Sequence, residues 1–363
     1  MRIPTQVPLT RLAQTVQRLR LQLLRLHQSL APAPVVMVEI ITSAWVAQSV
    51  AVAADLRIAD ALAEEPLPID DLASKVGAEP DALSRLLRAL IGRGIFKRLG
   101  DGRYALTPLA DALRWNVSNS MAALACFIGS PQDREHWSHC VDAIRTGQSV
   151  LPMLHGIDGF TWLASEPELS DLFNQAMTNF SELAVDPVTA AYDFSTYRTI
   201  VDVGGGHGRL LAGILAGAPA ASGVLFDLPH VVAGAGQLLR RHNVADRVTV
   251  ASGSFFESVP EGGDLYVLKN IIHDWADDRA LQILKTVRAA AGQSSKLVLV
   301  ECVIPAHDRD SSAKWMDLGM LVDNTGRERT ASEYRDLLQQ SGFQMTRVVP
   351  TASPFNVVEA RAA

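Results

Sequence analysis

The run Thr199-Ile200-Val201-Asp202-Val203 passes without a break into Gly204-Gly205-Gly206-His207-Gly208. Glycines this dense let a backbone turn sharply out of a strand and bring unoccupied amide donors close to a ligand. The segment therefore reads as a βα turn with a binding site at the start of a helix near Arg209. From Tyr197 onward, short apolar runs alternate with helical patterns, as in βαβ units on a parallel sheet. Strands are expected at 199–203, 223–227, 248–251, 265–268 and 296–300, with a closing pair near 344–349 and 355–360. Seven such strands, with helices between the first five, make an open, doubly wound α/β sheet whose ligand lies outside the carboxyl ends of the strands.

Glycine spacing narrows the ligand. A dinucleotide fingerprint needs glycines at i, i+2 and i+5; Gly204 and Gly206 meet the first two, but position 209 is Arg, which disfavours NAD and FAD. No GKS or GKT is present, which excludes a P-loop. Gly204, Gly206 and Gly208 instead spell GxGxG, and nineteen residues beyond Gly208 comes Asp227, at the end of the second expected strand. A carboxylate there can accept hydrogen bonds from both ribose hydroxyls, which implies an adenosine.

The first half of the chain has a different texture. Leu9, Leu12, Val16, Leu19, Leu23, Leu26 and Leu30 follow the 3,4 spacing of a helical seam, which either meets a partner or packs on its own domain. Pro32 and Pro34 end that helix, and residues 35–64 read as a largely buried one. Helices over 69–76 and 80–92 and a hairpin over 95–107, tipped by Gly100-Asp101-Gly102, look like a winged helix. Its charges oppose DNA reading. Between residues 66 and 111, seven Lys/Arg stand against six Asp/Glu, and the helix that would enter a groove offsets Arg85 and Arg88 with Glu79 and Asp81, so a dimerisation module is preferred.

Composition excludes other classes. The chain has 33 Lys+Arg and 39 Asp+Glu, a net charge of -6, which gives no footprint for nucleic acid. Residues 1–38 hold five Arg and no acid, but Arg interrupts the apolar positions, unlike a secretory signal. The stretch 35–62 carries Glu39, Asp55, Arg57 and Asp60 and falls short of the roughly 20 uncharged residues of a bilayer span, so no membrane partner is expected. Cys126, Cys140 and Cys302 form no CxxC pair, which excludes a disulfide framework and suits a reducing, cytoplasmic compartment. The expected divisions are an amphipathic dimerisation arm over 1–34, a winged-helix-like region over 35–110, a helical linker and pocket region over 111–195, and the nucleoside-binding α/β domain over 196–363.

Several segments together resemble one family. They are AADLRIADAL at 53–62, FNQAM at 173–177, VDVGGGHG at 201–208, FDLPHV at 226–231, GSFFESVP at 253–260, LKNIIHDWADD at 268–278 and GRERTASEY at 326–334. With them the chain resembles the S-adenosylmethionine-dependent O-methyltransferases of small aromatic molecules, of the plant phenylpropanoid and the bacterial polyketide and antibiotic types. The resemblance covers almost the whole chain and implies a Rossmann-like seven-stranded methyltransferase sheet behind a mostly helical, winged-helix-like dimerisation domain in a homodimer of secondary metabolism. It implies that Gly204, Gly205 and Gly206 hold the methionine part of the cofactor, that Asp227 takes the ribose, that Leu228 and Phe255 flank the adenine, and that Lys269 reaches the site. One position departs from the pattern: Ser254 stands where the family has an acid on the adenine amine, and an uncharged acceptor bonds about half as strongly as a carboxylate.

Transferring a methyl from a sulfonium to a phenol, leaving S-adenosylhomocysteine, requires the protein to deliver an oxyanion. A phenol of pKa near 10 is mostly neutral at pH 7, so a positioned histidine helps most. His273 follows the fourth strand at the mouth of the sheet, in Asn270-Ile271-Ile272-His273-Asp274-Trp275. Position alone leaves it equally suited to satisfying backbone groups at a helix start; the resemblance makes it the base. The resemblance also sets Glu301 and Glu328 beside it, where a carboxylate fixes the imidazole tautomer and raises its basicity. Asp274 is a less favoured helper, because a sequence neighbour often points away. Activity is expected to rise through the ordinary histidine range.

The acceptor pocket implied by the resemblance is Trp162, Phe173, Asn174, Met177, Met320 and Asn324. His136, His139 and Cys140 lack a fourth ligand of matching spacing, and no carboxylate cluster is visible in the sequence, so no metal is expected. Two other readings stay open. One is a family member that uses the cofactor without methyl transfer, as a hydroxylase or decarboxylase; the other is a non-enzymatic, ligand-responsive regulator.

Overall fold

The computed structural model describes residues 7–363; the first six residues of the expected arm, Arg2 among them, and the side chain of Leu9 lie outside the described residues. The chain forms two compact units. One comprises residues up to 23 with 140–159 and 183–363, and the other residues 24–139 and 160–182.

In the second unit the helices Ile69–Val76 and Pro80–Gly92 form where capping chemistry puts them. Asp70 and Asp71 occupy the first turn of the former, and Gly77 closes it in the left-handed conformation at φ 67°. Pro80 opens the latter, and the Glu79 carboxylate accepts from the amides of Asp81 at 3.1 Å and Ala82 at 2.7 Å. Leu72, Leu83, Leu87 and Leu90 then pack with Ile58, Phe96 and Tyr104 into one core, against which the hairpin strands Phe96–Arg98 and Tyr104–Leu106 pair.

The segment expected as a largely buried helix over 35–64 is different. It is three helices, Ala33–Ile41, Ser43–Asp55 and Ile58–Ala61, with a break at Thr42 and a left-handed Arg57 at φ 54°. No residue of Ala33–Ile41 is buried, and Val35, Met37, Val38, Ile40, Ile41 and Trp45 are exposed. All-round apolar composition predicts burial without saying what does the burying, and here the chain's own core covers only the far end of the segment. By length and composition Ala33–Asp55 is apolar enough to cross a membrane. The helix Val7–Ser29 likewise exposes Leu12, Val16, Leu19, Leu23 and Leu26.

In the first unit seven strands form one sheet: β1 (Thr199–Val203), β2 (Ser222–Asp227), β3 (Val248–Ser252), β4 (Leu265–Lys269), β5 (Lys296–Glu301), β6 (Phe343–Pro350) and β7 (Asn356–Ala362). Their order is β3-β2-β1-β4-β5-β7-β6, parallel from β3 to β5 and antiparallel through β7 and β6. The order reverses between β1 and β4, so the crevice for a ligand opens beyond their carboxyl ends. Ile200, Val201, Tyr266, Leu268, Leu297 and Leu299 are fully buried, as expected of strands covered on both faces.

One charge on β7 ties the sheet to the chain entering it. The buried Glu359 accepts from the Tyr192 hydroxyl at 2.7 Å, Thr346 Oγ1 at 2.5 Å and Arg347 Nη2 at 3.1 Å. Burial alone would raise its pKa, but the bonds from Thr346, Tyr192 and Arg347 outweigh it and bring the carboxyl down to about 2.

Candidate active site

The glycine turn leaves β1 as expected. The Gly204 amide donates to Phe226 O at 2.8 Å, and the helix Arg209–Gly217 follows. Gly204 has φ +69°, and a Cβ there would lie 2.4 Å from Ile271 Cδ1. Gly206 has φ +60°, but open space surrounds its missing Cβ. Glycine at 204 is thus demanded both by conformation and by neighbouring atoms, and at 206 by conformation beside room for a ligand. Gly205 meets a third limit, because a Cβ would fall 2.7 Å from Asp202 Oδ2.

Asp227 ends β2 with its carboxylate turned back to this loop. Oδ2 accepts from the Gly206 amide at 2.9 Å and Oδ1 from its own successor, the Leu228 amide, at 2.7 Å. Leu228 is 42% exposed. Phe255 is held edge-on by Phe256 and Trp275, with ring centroids 4.9 and 6.2 Å away, and the Arg279 guanidinium covers Phe256 at 3.7 Å. Ser254 Oγ accepts from the Phe256 amide at 3.3 Å.

Beneath the loop, Asp202 is fully buried and its Oδ2 has no hydrogen-bond partner. Burial pushes its pKa up to about 7, with the charge of Lys269 pulling the other way. The same burial pushes the Lys269 ammonium down, against the opposing pull of Asp202, Glu301 and Asp274. An unpartnered oxygen on Asp202, an open glycine turn and a half-buried lysine thus lie at one end of the sheet.

His273 lies one turn past β4, in the short 3₁₀ segment Ile272–Asp274, and is buried. Its Nδ1 is 2.8 Å from Glu328 Oε1. Its Nε2 is 3.4 Å from Asp274 Oδ1, so the sequence neighbour does turn toward the ring. Glu301, at the end of β5, grips the turn's backbone: its Oε1 accepts from the amides of Ile271 at 3.2 Å and Ile272 at 2.9 Å.

Burial alone would lower the imidazole pKa, but Asp274, Glu301 and Glu328 prevail and raise it to about 10. Glu301 itself is pushed up to about 7 by burial. The sequence showed no carboxylate cluster, yet the fold assembles one from three segments. Ligand-capable atoms of His273, Glu301 and Glu328 lie within 4.8 Å of one another. The 2.8 Å contact between His273 and Glu328 is the length of a charge-assisted hydrogen bond.

Of the expected pocket residues, Met320 and Asn324 belong to the unit that carries the sheet, on and just after the helix Ser312–Asp323. Trp162, Phe173, Asn174 and Met177 belong to the helical unit. There Trp162 packs edge-on to His136 with ring centroids 4.9 Å apart, and Phe173 lies 5.3 Å from Phe127. Asn174 is exposed and Met177 half-buried. Arg329, Asp202 and Gly326 were not singled out from the sequence; Arg329 and Gly326 sit in the GRERT motif, the one signal that pointed to them.

Comparison with known proteins agrees with this geometry along the length of the chain. An O-methyltransferase domain matches residues 137–344, and an O-methyltransferase dimerisation domain matches residues 38–114. A phenazine O-methyltransferase of Lysobacter antibioticus is 41% identical over 330 residues, covering 91% of this chain and 96% of its own. The structure of a mitomycin 7-O-methyltransferase aligns with a TM-score of 0.83 at 35% identity, over 93% of this chain and 100% of that one. An O-methyltransferase of neocarzinostatin biosynthesis, solved with S-adenosylmethionine and 2-hydroxy-5-methyl naphthoic acid, aligns with a TM-score of 0.73 at 33% identity, over 88% and 96%. Sheet, glycine turn and full-length likeness lead to one conclusion: the chain belongs to the S-adenosylmethionine-dependent O-methyltransferase family.

Proposed function

We propose that this methyltransferase acts on a phenolic hydroxyl of a small aromatic molecule, with His273 as the general base. The observation that carries the reading is the 2.8 Å contact between His273 Nδ1 and Glu328 at the carboxyl end of the sheet. Bound S-adenosylmethionine supplies an electrophilic methyl group on a sulfonium that is already a good leaving group. The open turn at Gly206, the Asp227 carboxylate, the buried Asp202 and the half-buried Lys269 fit its charged ends and its ribose. Gly204 and Gly205 would let the backbone come close, while Leu228, Phe255 and Ser254 would hold the base of the nucleoside.

In the neutral imidazole Glu328 accepts the Nδ1 proton, so that Nε2, the nitrogen beside Asp274, carries the lone pair that takes the phenol's proton; the raised pKa makes this form dominant only at alkaline pH. The carboxylates raise the imidazole pKa toward that of a phenol, which makes the ring a stronger base toward the acceptor. The imidazolium formed is held by Glu328, Asp274 and Glu301. An arylamine would need no base before attack, which is why this dyad favours a hydroxyl acceptor.

Met320 and Asn324 are the proposed acceptor-binding residues of the unit that carries the sheet, and Trp162, Phe173, Asn174 and Met177 those of the helical unit; all are apolar or amide side chains suited to a flat polar aromatic. The family's dimerisation domain, together with the exposed apolar faces of Val7–Ser29 and Ala33–Ile41, supports a homodimer that covers them. The helix Pro80–Gly92 and its cap offset Arg85 and Arg88 with Asp81 and Glu79, which favours this over a DNA-reading role. Three free cysteines suit the cytoplasm.

The reading is tested by incubating the protein with methyl-labelled S-adenosylmethionine and a panel of phenols, followed by mass spectrometry. Label on a phenolic oxygen is expected. A hydroxylated or decarboxylated product that carries no methyl label would replace methyl transfer by the other chemistry.

A further inference from the structure

Arg329 is a large, charged side chain only 1% exposed, and the base mechanism gives it nothing to do. All five of its side-chain hydrogen bonds go to the 272–277 segment or to Arg327. Nη1 donates to Ile272 O at 2.9 Å and Arg327 O at 3.3 Å, Nη2 to Trp275 O at 2.9 Å and Asp277 Oδ1 at 2.7 Å, and Nε to Asp277 Oδ1 at 3.1 Å. Ile272 and Trp275 are the two residues that bracket His273 and Asp274, so the guanidinium spans the turn that carries the base.

The rest of its segment presses on the same turn. The Arg327 amide donates to His273 O at 2.8 Å. A Cβ on Gly326 would stand 2.0 Å from His273 O and 2.8 Å from Asp274 Cα, both backbone atoms that cannot swing aside. Between them Glu328 reaches Nδ1 of the ring. Four consecutive residues therefore fix both the backbone under His273 and the hydrogen bond that orients its imidazole.

We propose that Arg329 and Gly326 are positioning residues for the base: they hold the 272–275 turn so that Nε2 points at the acceptor oxygen. This rests on His273 being the base. Stability alone is a poor reason for the arrangement. Burying a guanidinium against three carbonyls and one carboxylate, the latter on a residue whose side chain is 61% exposed, incurs a desolvation cost that its Coulombic gain often fails to offset. Geometry is a better reason, since an error of about 1 Å in a reacting group can cost about 100-fold in rate. The planar fork matters as well. Lysine carries the charge but cannot bridge two carbonyls and a carboxylate at fixed angles.

The test uses the intact protein as Arg329→Lys, Gly326→Ala and Asp277→Ala, the last altering an exposed residue so that at least one variant folds. Three quantities are read: cofactor affinity by calorimetry, the ring N–H resonance and titration of His273 in ¹⁵N-histidine-labelled protein, and kcat and KM on the phenol with the highest turnover. Arg329→Lys and Gly326→Ala are expected to bind cofactor within about threefold of the parent, to shift or lose the Nδ1–H resonance, and to lower kcat at least tenfold with little change in KM. Asp277→Ala should move the same readouts less. Folded variants that keep the parent's resonance, titration and kcat would overturn the proposal. His273→Ala separates the two layers: if it keeps turnover, the base assignment fails, whereas if it loses turnover and Arg329→Lys does not, only the positioning role fails.

Discussion

His273 Nδ1 and Glu328 Oε1, fifty-five residues apart in the chain, meet at 2.8 Å with both side chains buried. Removing the charge but not the acceptor, as in Glu328→Gln, preserves the tautomer and takes away one of the carboxylates that raise the imidazole pKa. Turnover is expected to fall by about 10- to 100-fold, less than for loss of the base itself, which typically costs about 10²–10⁴-fold. The variant's pH limb should move down from that of the parent. Steady-state kinetics at several pH values check both effects, and an unmoved limb would remove Glu328 from the proton's environment.

Cofactor binding is tested at two positions. Asp227→Ala gives up a charged acceptor to the ribose and the anchor of the Gly206 amide, worth about 1.5–3 kcal/mol. Calorimetry should show affinity for S-adenosylmethionine at least tenfold weaker. Ser254→Asp should act in the opposite sense by restoring a charged acceptor. Unchanged affinity in both variants would move the nucleoside away from the β2 end of the sheet.

Much of this site could be read from the sequence because its motifs sit at strand ends, and strand ends are where an α/β sheet places ligands. Asp227, Lys269 and Glu301 each close a strand within one residue of the expected boundary. What the sequence could not show depends on sheet order. Asp274, Glu301 and Glu328 converge on one imidazole only because β4 and β5 are neighbours and the 326–329 segment returns beneath them. Arg329 stands between the polar neighbours Glu328 and Thr330, and nothing in that local pattern marks it as buried. Apolarity in 35–64 was read correctly, but what covers it is not encoded in a single chain.

That apolar surface yields a prediction about assembly. Leu19→Glu with Leu23→Glu puts charge on the exposed seam of Val7–Ser29 and should weaken the dimer without touching the core of either unit. Light scattering at micromolar concentration should give a dimeric mass for the parent and a shift toward monomer for the variant. A monomeric parent would contradict the homodimer.

Stability should depend on pH through Glu359. Its folded pKa of about 2 lies below the unfolded value of about 4.3, so its contribution is whole above about pH 5 and is lost as pH falls toward 2. The shift corresponds to about 3 kcal/mol in full. Urea unfolding should therefore find Glu359→Gln less stable than the parent at pH 7, with the gap narrowing between pH 5 and pH 3. A gap independent of pH would mean that packing, not charge, sets the effect.

The base assignment is tested most directly by the pH dependence of methyl transfer in the parent and in His273→Ala. The carboxylates around the ring raise the imidazole pKa, so the parent's rising limb is expected to lie above the ordinary histidine range expected from the sequence and below the acceptor's own ionisation. His273→Ala should lose about 10²–10⁴-fold in turnover, bind S-adenosylmethionine as before, and show residual activity that climbs only with the acceptor's own ionisation. Parental turnover with the same limb in His273→Ala would contradict the assignment and leave methyl transfer to the alignment of donor and acceptor alone.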